Sequence, residues 1–324
     1  MPAAGLFLIP PVVSTPNAGY RATLDVAVEA ERLGFDSVWL AEGHVRGNGL
    51  PSALTFLAAL SQRTSQIRLG TAVITPAFEN PIRLAEVAGV VDALSAGRLE
   101  LGLGKSNGGG WSSAAFSAFA LNEGDRDALF ATALDALRDA LDGSIDGQEN
   151  ALYPPARGLR DRLWQATGRP ESARAAGLAG DGLQLHRKAP HGVTGEVQAG
   201  LIDAYLEALP EERAPRIAVS RVVLPASDRA EAIALIERFS RERPEFYARF
   251  DPAADVETYL VSSNIAFGSA EDIVERLRTD AAVRRSTTVL YSIPLPFDSA
   301  EYHRALALVA DEVHTRIAAA VPAL

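Results

Sequence analysis

Cysteine is absent from this 324-residue chain. That absence excludes disulfide bonds, thiolate metal sites and a cysteine nucleophile, and it fits a protein of the reducing cytoplasm. Lysine is nearly absent too. It stands only at Lys105 and Lys188, and arginine supplies every other cation, so each lysine merits inspection. A basic excess is missing: the net charge of −10 repels phosphate backbones and anionic lipid, which argues against nucleic-acid and membrane partners. No stretch approaches the ~20 apolar residues of a membrane helix. The apolar start, Met1 to Val13, has no basic region and carries Pro2, Pro10 and Pro11. It reads as a first buried strand, not a signal peptide.

What is present is globular: 48% hydrophobic and 22% charged residues, with 26 Gly and 19 Pro to make turns. Short apolar runs alternate with amphipathic ones. Strands are expected at Gly5–Ile9, Ser37–Leu40, Ile67–Ile74, Leu99–Leu103, Leu163–Ala166, Gly182–Leu185, Ile217–Leu224 and Thr287–Ile293. Between them helices are expected at 18–33, from Ser52 as N-cap, from Pro81 to the stop at Gly97, and at 125–141, 170–179, 196–209 and 228–243. Ser269 with Asp272 forms a capping box for a further helix. Tyr302, Leu306, Val309, Val313 and Ile317 mark the apolar face of a closing helix.

Strands that are apolar throughout are buried on both faces, as in a parallel sheet. A closed (β/α)8 TIM barrel and an open doubly wound sheet both satisfy that pattern. Eight units without a compositional break favour the barrel, as a single domain over 1–324, with irregular insertions at 143–162 and 244–264.

The Gly-rich turn Gly102-Leu-Gly-Lys-Ser-Asn-Gly-Gly-Gly110 follows the fourth strand. A P-loop would need Gly where Leu99 stands, and a dinucleotide fingerprint would need Gly where Asn107 stands. What remains is physical. Glycines let amides approach an anion, and Lys105 adds a point charge. In a barrel this turn lies at the C-terminal mouth, where ligands bind. The turn Thr167-Gly-Arg-Pro-Glu-Ser172 is a second anion candidate. Pro170 suits a first helical position, so nearby amides point outward unpaired.

His44, just past the second strand, is the candidate catalytic imidazole. His186 and His191 are five apart, with Pro190 between them and no carboxylate to complete a set, so no metal is expected. His303 and His314 on the closing helix read as solvated. The absence of a Gly-x-Ser-x-Gly elbow counts against an α/β-hydrolase.

Several segments together resemble the bacterial luciferase-like monooxygenases. They are Leu33-Gly-Phe-Asp-Ser-Val-Trp-Leu-Ala-Glu-Gly-His44, the block from Thr64 to Gly104 with Asn80-Pro81 and Asp92-Ala-Leu-Ser-Ala-Gly-Arg98, and Pro170-Glu-Ser-Ala-Arg-Ala-Ala before Gly180-Asp-Gly. Leu152-Tyr-Pro-Pro155 and Arg162-Leu-Trp-Gln-Ala-Thr167 resemble a subgroup described as FMN-dependent. The resemblance implies a (β/α)8 barrel, usually a homodimer, binding FMN or the deazaflavin F420 at its mouth. It implies a non-prolyl cis bond after Ala72, so that Ala72 and Val73 lie under the flavin ring. It places a phosphate grip at Lys105 and Ser106, and at Thr167, Gly168, Arg169 and Ser172. Reduced FMN from a separate flavin reductase would then react with O2 to oxygenate a small organic substrate.

Two residues depart from the pattern. Gly43 replaces the first His of the usual Glu-His-His, leaving His44 as the retained imidazole. Lys105 replaces an Arg and loses its bidentate grip on phosphate. An F420-dependent hydride-transfer enzyme and a non-catalytic flavin-binding paralogue are therefore the competing readings. The loops at 41–52, 104–124 and 186–195 would line the substrate pocket, and Trp111, Phe116 and Phe119 there suit a partly apolar substrate.

Overall fold

The strands carry the architecture. The structure, a computed structural model, describes residues 1–10, 15–45, 49–106, 108–145, 148–149, 152–244 and 255–321. Asn107 of the Gly-rich turn and residues 11–13 of the apolar start lie outside these. Strands in chain order are β1 (Ala3–Leu8), β2 (Ser37–Leu40), β3 (Arg68–Thr71), β4 (Leu99–Gly104), β5 (Ser144–Ile145), β6 (Gln148–Glu149), β7 (Leu163–Ala166), β8 (Gly182–Leu185), β9 (Ile217–Pro225), β10 (Ile265–Gly268) and β11 (Thr288–Ser292). Eight of them pair in parallel around a ring: β1, β2, β3, β4, β7, β8, β9, β11 and back to β1. That closure makes a (β/α)8 barrel and removes the open-sheet alternative.

The helices that wrap it are α1 (Pro16–Arg32), α2 (Ala53–Ser61), α3 (Pro81–Leu94), α4 (Trp111–Ala118), α5 (Arg126–Asp142), α6 (Pro170–Leu178), α7 (Thr194–Leu206), α8 (Arg229–Glu242), α9 (Val256–Ser262), α10 (Ala270–Arg278), α11 (Ala300–Leu308) and α12 (Thr315–Ala320). Apolar side chains on the outward strand faces and the inward helix faces form one continuous core. The apolar face expected of the closing helix is wholly buried, and a π-helical stretch at Val309–His314 joins α11 to α12.

A second, smaller cluster fills the barrel itself. Trp39 and Trp164 meet edge to face with centroids 5.3 Å apart, beside Ala218 and Leu290, and Phe7 and Ala72 pack against them. Two indoles fit because neighbouring strands supply glycine: a Cβ on Gly70 would lie 2.2 Å from the Trp39 ring, and one on Gly182 equally close to Trp164. Each indole N–H is satisfied, Trp39 donating to Ser37 Oγ (2.9 Å) and Trp164 to Glu100 Oε2 (2.6 Å). Gly182→Ala is therefore expected to cost about 1–3 kcal/mol by overpacking. Gly200→Ala, where an added Cβ meets nothing within 4 Å, should be neutral or stabilising. Urea unfolding of both variants checks the contrast.

The structure corrects several expectations. The insertion at 244–264 is not wholly irregular: it contains α9 and leads into β10, a ninth strand of the sheet that pairs with the far end of β9 from Val222 to Pro225. The 143–162 segment includes the β5–β6 hairpin pairing. The third strand ends at Thr71, and Ile74 makes only an isolated bridge to Leu103. Ser52 occupies the N-cap of α2 but makes no capping bond; Glu42 Oε2 accepts from Ala53 N at 2.8 Å instead.

The closing-helix histidines are not free in solvent. His303 pairs with Glu29, and the half-buried His314 shares a 3.1 Å hydrogen bond with the buried Tyr291 hydroxyl. Burial pushes the His314 pKa down, with the Asp36 charge opposing. The unfolded chain then takes up this proton first. The contribution is intact above the unfolded value of about 6.5 and is lost as pH falls toward the lower folded value. His314→Gln should flatten the decline of the urea midpoint between about pH 7 and pH 5.

Candidate active site

Loops leaving the C-terminal ends of β2, β3 and β4 converge on His44. Its Nε2 lies 3.1 Å from Glu42 Oε1. The other Glu42 oxygen is held by the first amide of α2, and both side chains are largely enclosed. A carboxylate can only accept, so the Glu42 contact places the imidazole proton on Nε2. Nδ1, for which the described residues supply no partner, is then free to take a proton. Phe78 and Phe119 each present an edge-to-face contact to the imidazole at 5.4 Å and stack on each other at 4.9 Å. Phe116 closes the cluster against Phe78. Glu79 lies nearby: desolvation, reinforced by the Glu42 charge and opposed by His44, raises its pKa. Glu42 thus contacts the imidazole directly and Glu79 lies within its electrostatic reach, beside an aromatic wall.

Beneath this lies the floor of the mouth. The Ala72–Val73 peptide bond is cis, as the family resemblance implies. Ala72 rests on the indole cluster. Gly104 has no room for a side chain, since its Cβ would come within 2.5 Å of Val73 Cγ2. On the far side, Arg187 lies 5.9 Å from the Phe7 ring centroid, and His186 Nδ1 lies 3.3 Å from Lys188 O.

The two anion candidates read separately from sequence form one corner. Lys105 Nζ donates to Ser172 Oγ at 2.9 Å, joining the turn after β4 to the first turn of α6. The N-cap of α6, Arg169, makes no side-chain cap, and Pro170 follows it. Helix geometry leaves the Glu171 and Ser172 amides without intrahelical acceptors. Thr167 Oγ1 accepts from Arg169 N at 3.1 Å, shaping the turn, and Gly168 is open to solvent. An ammonium, a hydroxyl and two outward amides on one corner fit a phosphoryl group. The Ser106 hydroxyl, in the same turn as Lys105, donates to Ser112 Oγ at 2.8 Å. The Gly109 amide is spent on Glu123 at 2.9 Å, so that part of the Gly-rich turn fastens itself to the chain.

Sequence reading missed Glu42, Phe78, Glu79 and Asp127. Asp127, in the first turn of α5, accepts from Lys105 at 2.8 Å and also from Arg169. Those two cations hold its carboxyl below the usual range. Phe78, Glu79 and Asp127 act through partners distant in sequence. Only the Glu42-Gly-His44 spacing, which sets two ionisable groups together beyond a strand end, offered a signal.

Comparison with known proteins places the chain in a family. The family model described as luciferase-like monooxygenase matches residues 5–318, and the chain belongs to that family. It is 27% identical to the uncharacterized protein y4vJ of Sinorhizobium fredii, over 90% of each chain. It is 32% identical to an F420-dependent glucose-6-phosphate dehydrogenase of Kribbella flavida, over 52% of this chain and 54% of that protein. The match thus spans about half the length of that curated relative. Among solved structures it superposes on the oxygenating constituent of 3,6-diketocamphane monooxygenase from Pseudomonas putida, a type II Baeyer–Villiger monooxygenase in complex with FMN. That match has a TM-score of 0.77 and 19% identity over 98% of each chain, a likeness of fold. Among the described residues no helix is long and apolar enough to cross a membrane.

Proposed function

We propose that this chain is a flavin- or deazaflavin-dependent oxidoreductase, and specifically a monooxygenase using reduced FMN and O2 on a small organic substrate. The observation that carries the reading is the 2.9 Å contact between Lys105 and Ser172, which merges two anion sites beside an uncapped helix N-terminus. Lys105, Ser172 and the Glu171 and Ser172 amides would hold the FMN phosphate, with Thr167, Gly168 and Arg169 shaping the turn. Ala72 and Val73 would meet the ring. Reduced flavin supplies the electrons that activate O2. The protein excludes water with Phe78, Phe116 and Phe119, and His44 moves a proton at Nδ1 while Glu42 fixes its tautomer. With no dinucleotide fingerprint in the Gly-rich turn, a separate reductase is the proposed electron source. A cytoplasmic homodimer is the proposed working form.

The second reading is F420-dependent hydride transfer. It is favoured by the 32% identity to the Kribbella flavida dehydrogenase. Fluorescence titration with FMN, reduced FMN and F420 tests both. Tight binding of reduced FMN, with oxygen uptake dependent on substrate, supports the monooxygenase. Exclusive binding of F420, with anaerobic turnover, replaces it with the second reading.

A further inference from the structure

The phosphate corner already holds an anion of its own. Asp127 bridges Lys105 and Arg169, and Glu171 lies 3.3 Å from the same Arg169 guanidinium. Two cations are thus met by two carboxylates, leaving the corner close to neutral. Asp127 is half-exposed and lies on α5, whereas the phosphate donors come from the turns after β4 and β7. It can therefore be pushed aside without unmaking those donors. An incoming phosphate must either displace this carboxylate or sit beside it.

The two cofactor classes differ in what they bring. A phosphate monoester carries between −1.5 and −2 charges near neutral pH; a phosphodiester carries one. Coulomb repulsion scales with the product of charges, so a resident carboxylate opposes the monoester almost twice as strongly. We propose that Asp127 is a specificity-determining residue of this corner: an in-chain counter-ion that weakens binding of phosphate-monoester flavins relative to phosphodiester deazaflavins. This rests on the reading of the corner as the cofactor phosphate site. It makes Asp127 the residue that sets the balance between FMN and F420, whichever the enzyme uses.

The test compares the wild type, Asp127→Asn and Asp127→Glu by fluorescence titration with riboflavin, FMN and F420, with circular dichroism to verify folding. Asparagine is nearly isosteric, and the site is at the surface. In Asp127→Asn, FMN should bind about ten-fold or more tightly, F420 should gain by a smaller factor, and riboflavin, which has no phosphate, should not change. Asp127→Glu keeps the charge and should stay near the wild type. Unchanged or weaker FMN binding in Asp127→Asn, with flavin binding otherwise intact, overturns the role of Asp127 and leaves the flavin reading standing. An equal gain for riboflavin and FMN also overturns it, because the effect would not depend on phosphate. If no protein binds any of the three ligands, the cofactor reading fails and takes this inference with it.

Discussion

His44→Ala should lower turnover by about 10²–10⁴-fold, the usual worth of a positioned acid–base group, while the thermal unfolding midpoint stays close to that of the wild type. The geometry gives reasons for both halves. Nε2 is committed to Glu42, so the free nitrogen is the one that can exchange protons with a bound molecule. The imidazole also contributes little to the main core, contacting Phe78 and Phe119 at its margin. Glu42→Gln separates positioning from charge. Its amide oxygen can still cap α2 and its nitrogen can still meet the ring, but it would then favour the opposite tautomer. A changed pH–rate profile with a preserved fold is expected for Glu42→Gln. Full activity in His44→Ala would remove this imidazole from the reaction.

The second large effect belongs to Lys105. Lys105→Ala should raise the dissociation constant for FMN by about 10–100-fold, the range for losing a charge-assisted hydrogen bond. Riboflavin binding should be unaffected. The substitution also leaves Asp127 facing the phosphate with only Arg169 to balance it, which pushes the loss toward the upper end of the range. Lys105→Arg should retain or improve affinity, because a guanidinium can grip two phosphate oxygens at once. Titration of FMN and riboflavin against all three proteins decides the matter. Equal losses for both ligands would mean that the lysine supports the loop rather than the phosphate.

Strand positions were the most legible feature. Ser37–Leu40, Leu163–Ala166 and Gly182–Leu185 form as expected, because a strand buried on both faces has no polar alternation to blur its ends. Less was legible where elements are short and poor in apolar residues. Trp111–Ala118 is eight residues of Trp, Ser, Ala and Phe, and β10 is four residues after a left-handed Asn264. Neither has the length to display a period. Capping chemistry was hidden for another reason: the acceptor at the start of α2 comes from Glu42, eleven residues upstream, and not from the adjacent Ser52.

Motif strength also did not track chemistry. Arg98, within the most recognisable stretch, lies away from the mouth. Its guanidinium donates to Ser95 O, Thr64 Oγ1, Ile67 O, Ser61 O and Thr64 O. Four of those bonds tie the start of β4 to the end of α2 and the loop before β3, and the one to Ser95 is local. That stretch marks the family through its scaffold, whereas the corner at Lys105 and Ser172 depends on residues 67 positions apart.

The paired indoles carry one last consequence. A cylinder stoppered from within has a single doorway, so nothing can pass through from end to end. Molecules that share such a cup must queue: the one that settles deepest arrives first and departs last. Under the proposed function, steady-state kinetics should therefore follow a compulsory order.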